Sequence, residues 1–311
     1  MLAAFACCCV AATIDDQQFN GRWDIAVNGD SRAWWLEVTG AGTESLKGKF
    51  VGTSSGDLDE IPKISIADGE LRFAFERHYT RDPKALQKGL YWARLEEGKL
   101  KGTFEIEGDP ASYLEWTGVR APALADKDDS AWKKGDPITL FDGHDLSAWI
   151  TPGSGHTAWS VKEGVLTNAP GSANLISTKK FWNFALHAEY RIGSHGNSGI
   201  GLRGRYEVQL LDDIDKLPSV HGNGAIYSRI APAVNASKPA GEWQTLDVRL
   251  VGRQVSVALN GIHVIEKQTI DGITAIALDS NEGDPGPIVL QGDHGPVEFR
   301  KIIVYPLVKP R

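Results

Sequence analysis

The sequence predicts an all-β protein: a two-sheet jelly roll over residues 138–311, preceded by a smaller antiparallel β-domain over 17–120. Three observations predict it. Short segments alternate apolar and polar residues, the period that gives a strand one buried and one solvated face. Turn-forming glycines interrupt these segments at spacings of roughly eight to twelve residues, as in antiparallel meanders and sandwiches. No stretch carries the apolar spacing of an amphipathic helix. The 34 glycines and 10 tryptophans of the 311-residue chain suit such a fold, which spends glycine on turns and aromatics on strand faces.

The chain begins with "MLAAFACCCVAA", an apolar run that ends in small residues before Thr13. Residues 1–12 read as a secretory signal peptide, so the mature protein is expected in the periplasm or outside the cell. All three cysteines lie here, and Cys7 is the candidate acceptor for lipoprotein anchoring. Cleavage after Ala12 would leave no thiol for a disulfide, a nucleophile or a thiolate metal site. Segments such as "LRFAFER" and "GTFEIEG" follow, the first placing Leu71, Phe73 and Phe75 on one face. Residues 121–137, "APALADKDDSAWKKGDP", mix proline, alanine and charge without alternation and read as a linker. Beyond it come further short strands, with a hairpin at Asn260-Gly261 inside "VALNGIHVIEK". No later apolar run is long enough to span a bilayer. A net charge of −7 with no long basic run argues against nucleic acid as a partner. An acidic, Trp-rich β protein suits neutral sugar ligands better.

Six segments carry a resemblance: "LFDGHDLSAW", "NSGIGLRGRYEVQLLD", "GAIY", "GEWQTLDV", "LNGIHV" and "GPIVLQGDHGPVEFR". In this order the second half resembles the 3-keto-disaccharide hydrolase family over about residues 136–308. That family was long a domain of unknown function and has a concanavalin A-like, laminarinase-type jelly roll. Lys301 departs from the pattern, which usually has Asn there. The resemblance implies an enzyme acting on glycosides already oxidised to a ketone at C3. The ketone acidifies the C2 hydrogen, a base removes it, and the C1 substituent leaves by β-elimination. Water added back makes the net reaction a hydrolysis. Such a route needs one base, one group to hold the enolate oxygen and one acid for the leaving group. It does not need the carboxylate pair of an ordinary glycosidase. The prior oxidation implies a separate nicotinamide-dependent sugar oxidoreductase, since no dinucleotide fingerprint occurs here. A non-catalytic, lectin-like carbohydrate-binding module and an ordinary glycosidase are the alternatives.

"HGNSGIGLRGRYEVQLLDD", residues 195–213, reads as one strand entered through a glycine-rich turn. Alternation places Arg203, Arg205, Glu207, Gln209 and Leu211 on one face, and Leu202, Tyr206, Val208 and Leu210 on the apolar other. Glycines beside Asn197 and Ser198 point to close approach by a ligand or another backbone. Jelly-roll β-glucanases carry Glu-x-Asp-x-x-Glu on a cleft strand, and the similar frame here is Glu207-x-Gln209-x-x-Asp212. The amide in the middle argues against a retaining double displacement.

With the resemblance, roles can be named. Glu207 is the candidate base for the C2 proton or a ligand-orienting carboxylate, and Arg203 the candidate clamp on the enolate or a hydroxyl. Asn197, Ser198 and Gln209 would contact sugar hydroxyls. Asp212 would fix Arg203, act at the leaving group or simply cap a turn. His294, on a glycine-flanked loop after Gln291, is placed for proton transfer, with Gln291 a binding residue. His195, before a glycine near the same strand, and Tyr227 in "GAIY" are further binding candidates; Tyr227 could also cap the core. No cofactor is called for. Asp212, Asp213 and Asp215 lack recognised ligand spacing, and a bound Ca²⁺ or other divalent ion is the candidate metal for such a jelly roll.

Overall fold

A computed structural model describes residues 15–53, 55–79, 85–152 and 158–310. The segment read as a signal peptide, with Cys7, lies outside the described residues. No described helix is long and apolar enough to cross a membrane.

Apart from one short 3-10 turn, Asp16–Phe19, the regular structure of the described chain is all β-strand, in three antiparallel sheets. The first holds nine strands between Gly21–Val27 and Asp109–Arg120. It consists of two meanders joined where Gly21–Val27 pairs with Asp109–Arg120. The sheet curls around aromatic side chains, among them Trp23, Trp34, Phe50, Phe73, Tyr91, Phe104 and Trp116. Leu71, Phe73 and Phe75 share the buried face, as their alternation predicts, and Phe73 stacks on Tyr91 with ring centroids 4.6 Å apart. Such pairs add to the area each ring removes from water.

The second half is a sandwich. One layer has nine strands, with Phe184–Ile192 and Val297–Val308 at its centre. The other has five, in the order Trp149–Ile150, Leu175–Phe181, Gly286–Leu290, Asn197–Leu202, Tyr206–Leu211. Leu186, Tyr190, Val248, Val257 and Phe299 of the larger layer share a core with Ile200, Leu202, Val208, Leu210 and Leu290 of the smaller. The expected hairpin forms between Gln254–Leu259 and Ile262–Thr269. Within 121–137, the pair Lys133–Lys134 joins the larger layer alongside Val297–Val308.

One local reading needs correction. Residues 195–213 are not a single strand but a hairpin, Asn197–Leu202 against Tyr206–Leu211. Arg203 and Gly204 have φ of 52° and 65°, so both central turn residues are left-handed. That is the twist that suits a tight hairpin, and glycine supplies half of it without strain. The turn breaks the alternation upstream of Tyr206. Glu207 and Gln209 keep one face and Val208 and Leu210 the other, while Arg203 leaves the Glu207 face.

Candidate functional site

The outer face of the five-stranded layer forms the floor of an open cleft of about 510 Å³. Glu207 and Gln209 rise from the site hairpin, Asn197 from its first strand, and Gln291, Asp293 and His294 from the loop after Gly286–Leu290. Tyr227, Ala275, Ile276, Leu278, Pro152 and Asn174 also line it, and Ser31, Arg32 and Gly56 reach in from the first-sheet half of the chain. Six of the ten site residues expected from the sequence thus share one cavity: Glu207, His294, Asn197, Gln209, Tyr227 and Gln291.

Glu207 lies at the bottom, 4% exposed. Its slot is made by Gly199 on the neighbouring strand. A Cβ at 199 would fall 2.5 Å from Glu207 Oε1 and 2.9 Å from its Cγ. The glycine-rich approach therefore admits a side chain of the same hairpin. The backbone of Glu207 is pinned on both sides: its N–H donates to Thr274 Oγ1 at 2.9 Å, and its carbonyl accepts from Tyr227 N–H at 3.0 Å. The carboxyl itself makes no hydrogen bond to a described residue. Burial pushes it up to about 7, with Asp293 adding to the rise and His294 opposing it. A carboxyl poised near neutrality is a stronger base than an ordinary one, and at pH 7 much of it is already free of its proton.

His294 and Asp293 stand beside it as a pair, Nδ1 and Oδ1 2.9 Å apart. The hydrogen bond it makes to the Asp293 carboxylate raises His294 above its ordinary value, and Glu207 raises it further. The same bond lowers Asp293. Asn174 Oδ1 accepts from Gly292 N–H at 2.9 Å and so steadies the loop that carries them. Gln209 and Gln291 are nearly buried, and the side-chain oxygen of each has no hydrogen-bond partner among the described residues. An unmet buried acceptor costs about 1–3 kcal/mol. Both residues line the cleft, with these two oxygens themselves shielded from solvent. Tyr227 has its phenol pushed up to about 12 by burial first and by Asp57 next. It is therefore a donor at neutral pH.

Four expected site residues lie elsewhere. The Arg203 guanidinium sits 4.4 Å from the Trp182 ring and 5.2 Å from the Tyr206 ring, and it donates to the Gly252 carbonyl. It latches the hairpin turn onto the other layer, so the enolate-clamp role is withdrawn. At the opposite end of the hairpin, Asp212 Oδ2 accepts from the His195 backbone N–H at 2.9 Å. Asp212 is a turn cap, and neither it nor His195 (φ 57°) lines the cleft. Ser198 Oγ donates to the Gln291 carbonyl at 2.9 Å, a buried strut between adjacent strands. It fixes the Gln291 backbone without lining the cavity. Asp213 accepts from Asn223 N–H and Ser237 Oγ, so that member of the acidic cluster serves the loop.

Sequence reasoning missed Arg32, Ser31 and Gly56, which come from the part of the chain outside the recognised motifs. It named Asp293 only as a neighbour of His294. No periodicity links a turn near residue 32 to a strand near 207, because only tertiary packing brings them together.

Comparison with known proteins bears on the second half. A curated 3-keto-disaccharide hydrolase of Bacteroides thetaiotaomicron is 24% identical over 166 residues, covering 42% of this chain and 57% of that protein. The chain thus spans little more than half the length of that relative. A proposed glycosyl hydrolase of Parabacteroides distasonis is 30% identical, covering 60% of this chain and 92% of the other, with a TM-score of 0.48. A second such protein of that organism is 22% identical over 55% and 94% of the two chains, also with a TM-score of 0.48. The family model of the 3-keto-alpha-glucoside-1,2-lyase-like domain matches residues 136–304. That match takes in more than half of the chain and every residue of the cleft floor, and the chain belongs to the 3-keto-alpha-glucoside-1,2-lyase-like domain family.

Proposed function

We propose that this protein cleaves 3-keto-glycosides by removing the C2 proton and eliminating the C1 substituent. The observation that carries the reading is Glu207: a buried carboxyl, pushed up to about 7, at the floor of a polar cleft. Glu207 takes the proton from C2. The electron pair moves into the C2–C3 bond, and negative charge gathers on the C3 oxygen. As the enolate collapses, the C1–O bond breaks. His294, charged while paired with Asp293, gives its proton to the departing oxygen. Water then adds across the new double bond when the net outcome is hydrolysis. Gln209, Gln291 and Asn197 orient the ring through its hydroxyls, and the Tyr227 phenol donates to a ring or ketone oxygen.

An unoxidised glycoside has no acidic C2 hydrogen, so this chemistry cannot start on it. Incubation with methyl 3-keto-α-D-glucopyranoside and with its unoxidised parent tests the reading directly. Methanol release from the keto compound alone is expected. Release from the parent would make the protein an ordinary glycosidase. Binding of both without release would make it a carbohydrate-binding module.

A further inference from the structure

We infer that the first sheet is part of the catalytic cleft, and that Arg32 seats the leaving-group half of the substrate there. The inference rests on the reading of Glu207 and His294 given above. Ser31, Arg32 and Gly56 line the same cavity as Glu207 and His294, although they belong to segments outside the matched family domain.

The two segments that carry them are held rigidly. Beside Arg32, Ala33 N–H donates to the Ala277 carbonyl at 2.9 Å, which ties the turn to the segment 274–278 on the cleft edge. Asp30 braces the turn from within, accepting from Arg32 N–H at 3.1 Å and from Trp34 Nε1 at 3.2 Å. Trp35, fully buried, packs into the sandwich core, with the Arg229 guanidinium 4.1 Å from its ring. Beside Gly56, Asp57 Oδ1 lies 2.7 Å from His221 Nε2, and Leu58 N–H donates to Ser228 Oγ at 2.8 Å. A wall built from this many contacts between the two halves is preorganised, so a ligand meets it without first ordering it.

Arg32 itself is exposed and forms no ion pair among the described residues. Arg32 and the half-exposed His294 therefore stand toward the open rim of the cavity whose floor holds the buried Glu207. With Glu207 beneath C2 and His294 at the glycosidic oxygen, the next position outward belongs to the leaving group. A planar guanidinium with several fixed donors matches adjacent hydroxyls of a second sugar ring. A methyl leaving group offers it nothing.

Calorimetric titration with trehalose and with methyl α-D-glucopyranoside, on the full chain and its Arg32→Ala variant, tests this without requiring turnover. The wild type is expected to prefer the disaccharide. Arg32→Ala should erode that preference on the order of tenfold, the loss expected for one charged hydrogen bond. Arg32→Lys should recover only part of it, because a point charge cannot serve two hydroxyls at once. An unchanged preference in Arg32→Ala, or none in the wild type, would overturn the inference. Failure of the wild type to cleave a 3-keto-glycoside would instead overturn the reaction assignment, and the titration would still decide the role of Arg32.

Discussion

Glu207 combines a functional demand with a structural cost. Its ordinary value is 4.5, and burial holds it near 7 in the folded chain. Below pH 4.5 both folded and unfolded forms keep the proton, and stability is unaffected. Between about 4.5 and 7 only the folded form keeps it, so stability falls as pH rises, by up to about 3 kcal/mol. Above 7 that loss is complete. Glu207→Gln is therefore expected to melt higher than the wild type at pH 8, to match it near pH 4.5, and to lose essentially all turnover. In the wild type, kcat/KM should rise through about pH 7 as Glu207 frees its basic oxygen. It should fall again as His294, raised by Asp293, gives up its proton. Glu207 was legible in the sequence because alternation put it on a strand face crowded with long polar side chains, opposite an apolar one. Arg203 carried the same polar character, but its role was decided by a backbone angle that alternation does not reveal.

At the scale of the element, the site hairpin sets geometry through what it leaves out. The missing side chain at Gly199 is the space that Glu207 occupies. Gly199→Ala is expected to displace the carboxylate and lower kcat on the order of 10²-fold, as misplacement of a reacting group by about an ångström does. Near-UV circular dichroism and the melting temperature should stay close to wild type, since the atoms nearest the new methyl all belong to the Glu207 side chain and none to the backbone. Loss of the fold instead would show that Gly199 serves the strand rather than the acid. The strands, the hairpin at Asn260-Gly261 and the apolar face of Val208 and Leu210 could all be read from alternation, because period two is a local property. The turn at Arg203-Gly204 could not, because Arg203 is a non-glycine residue in a left-handed conformation, and its contacts with Gly252 and Trp182 are long-range.

Across the whole molecule, the same packing that completes the cleft buries a pair of acids between the halves. Asp24, on Gly21–Val27 of the first sheet, is fully buried and faces Glu282 of the sandwich half. Arg253 Nε donates to Glu282 at 2.9 Å, and the Tyr206 hydroxyl donates to it as well. Burial first, and Glu282 next, push Asp24 up to about 8 from 3.8. It is folded in with its proton, and the stability this confers is lost as pH rises toward 8. Thermal melts from pH 6 to 9 should therefore show a decline in the wild type that is flattened in Asp24→Asn, with the variant the more stable at pH 9. Parallel slopes would place the titrating group elsewhere. Composition and turn spacing disclosed two β-rich parts but nothing of this contact, because the partners are separated by most of the chain. The two parts together line one cleft, and the proposed chemistry there begins at C2. A 3-keto-glucoside deuterated at C2 tests this most directly. Slower cleavage of the deuterated substrate than of its protium twin by the wild-type protein is expected; equal rates, with cleavage unimpaired in Glu207→Gln, would contradict it.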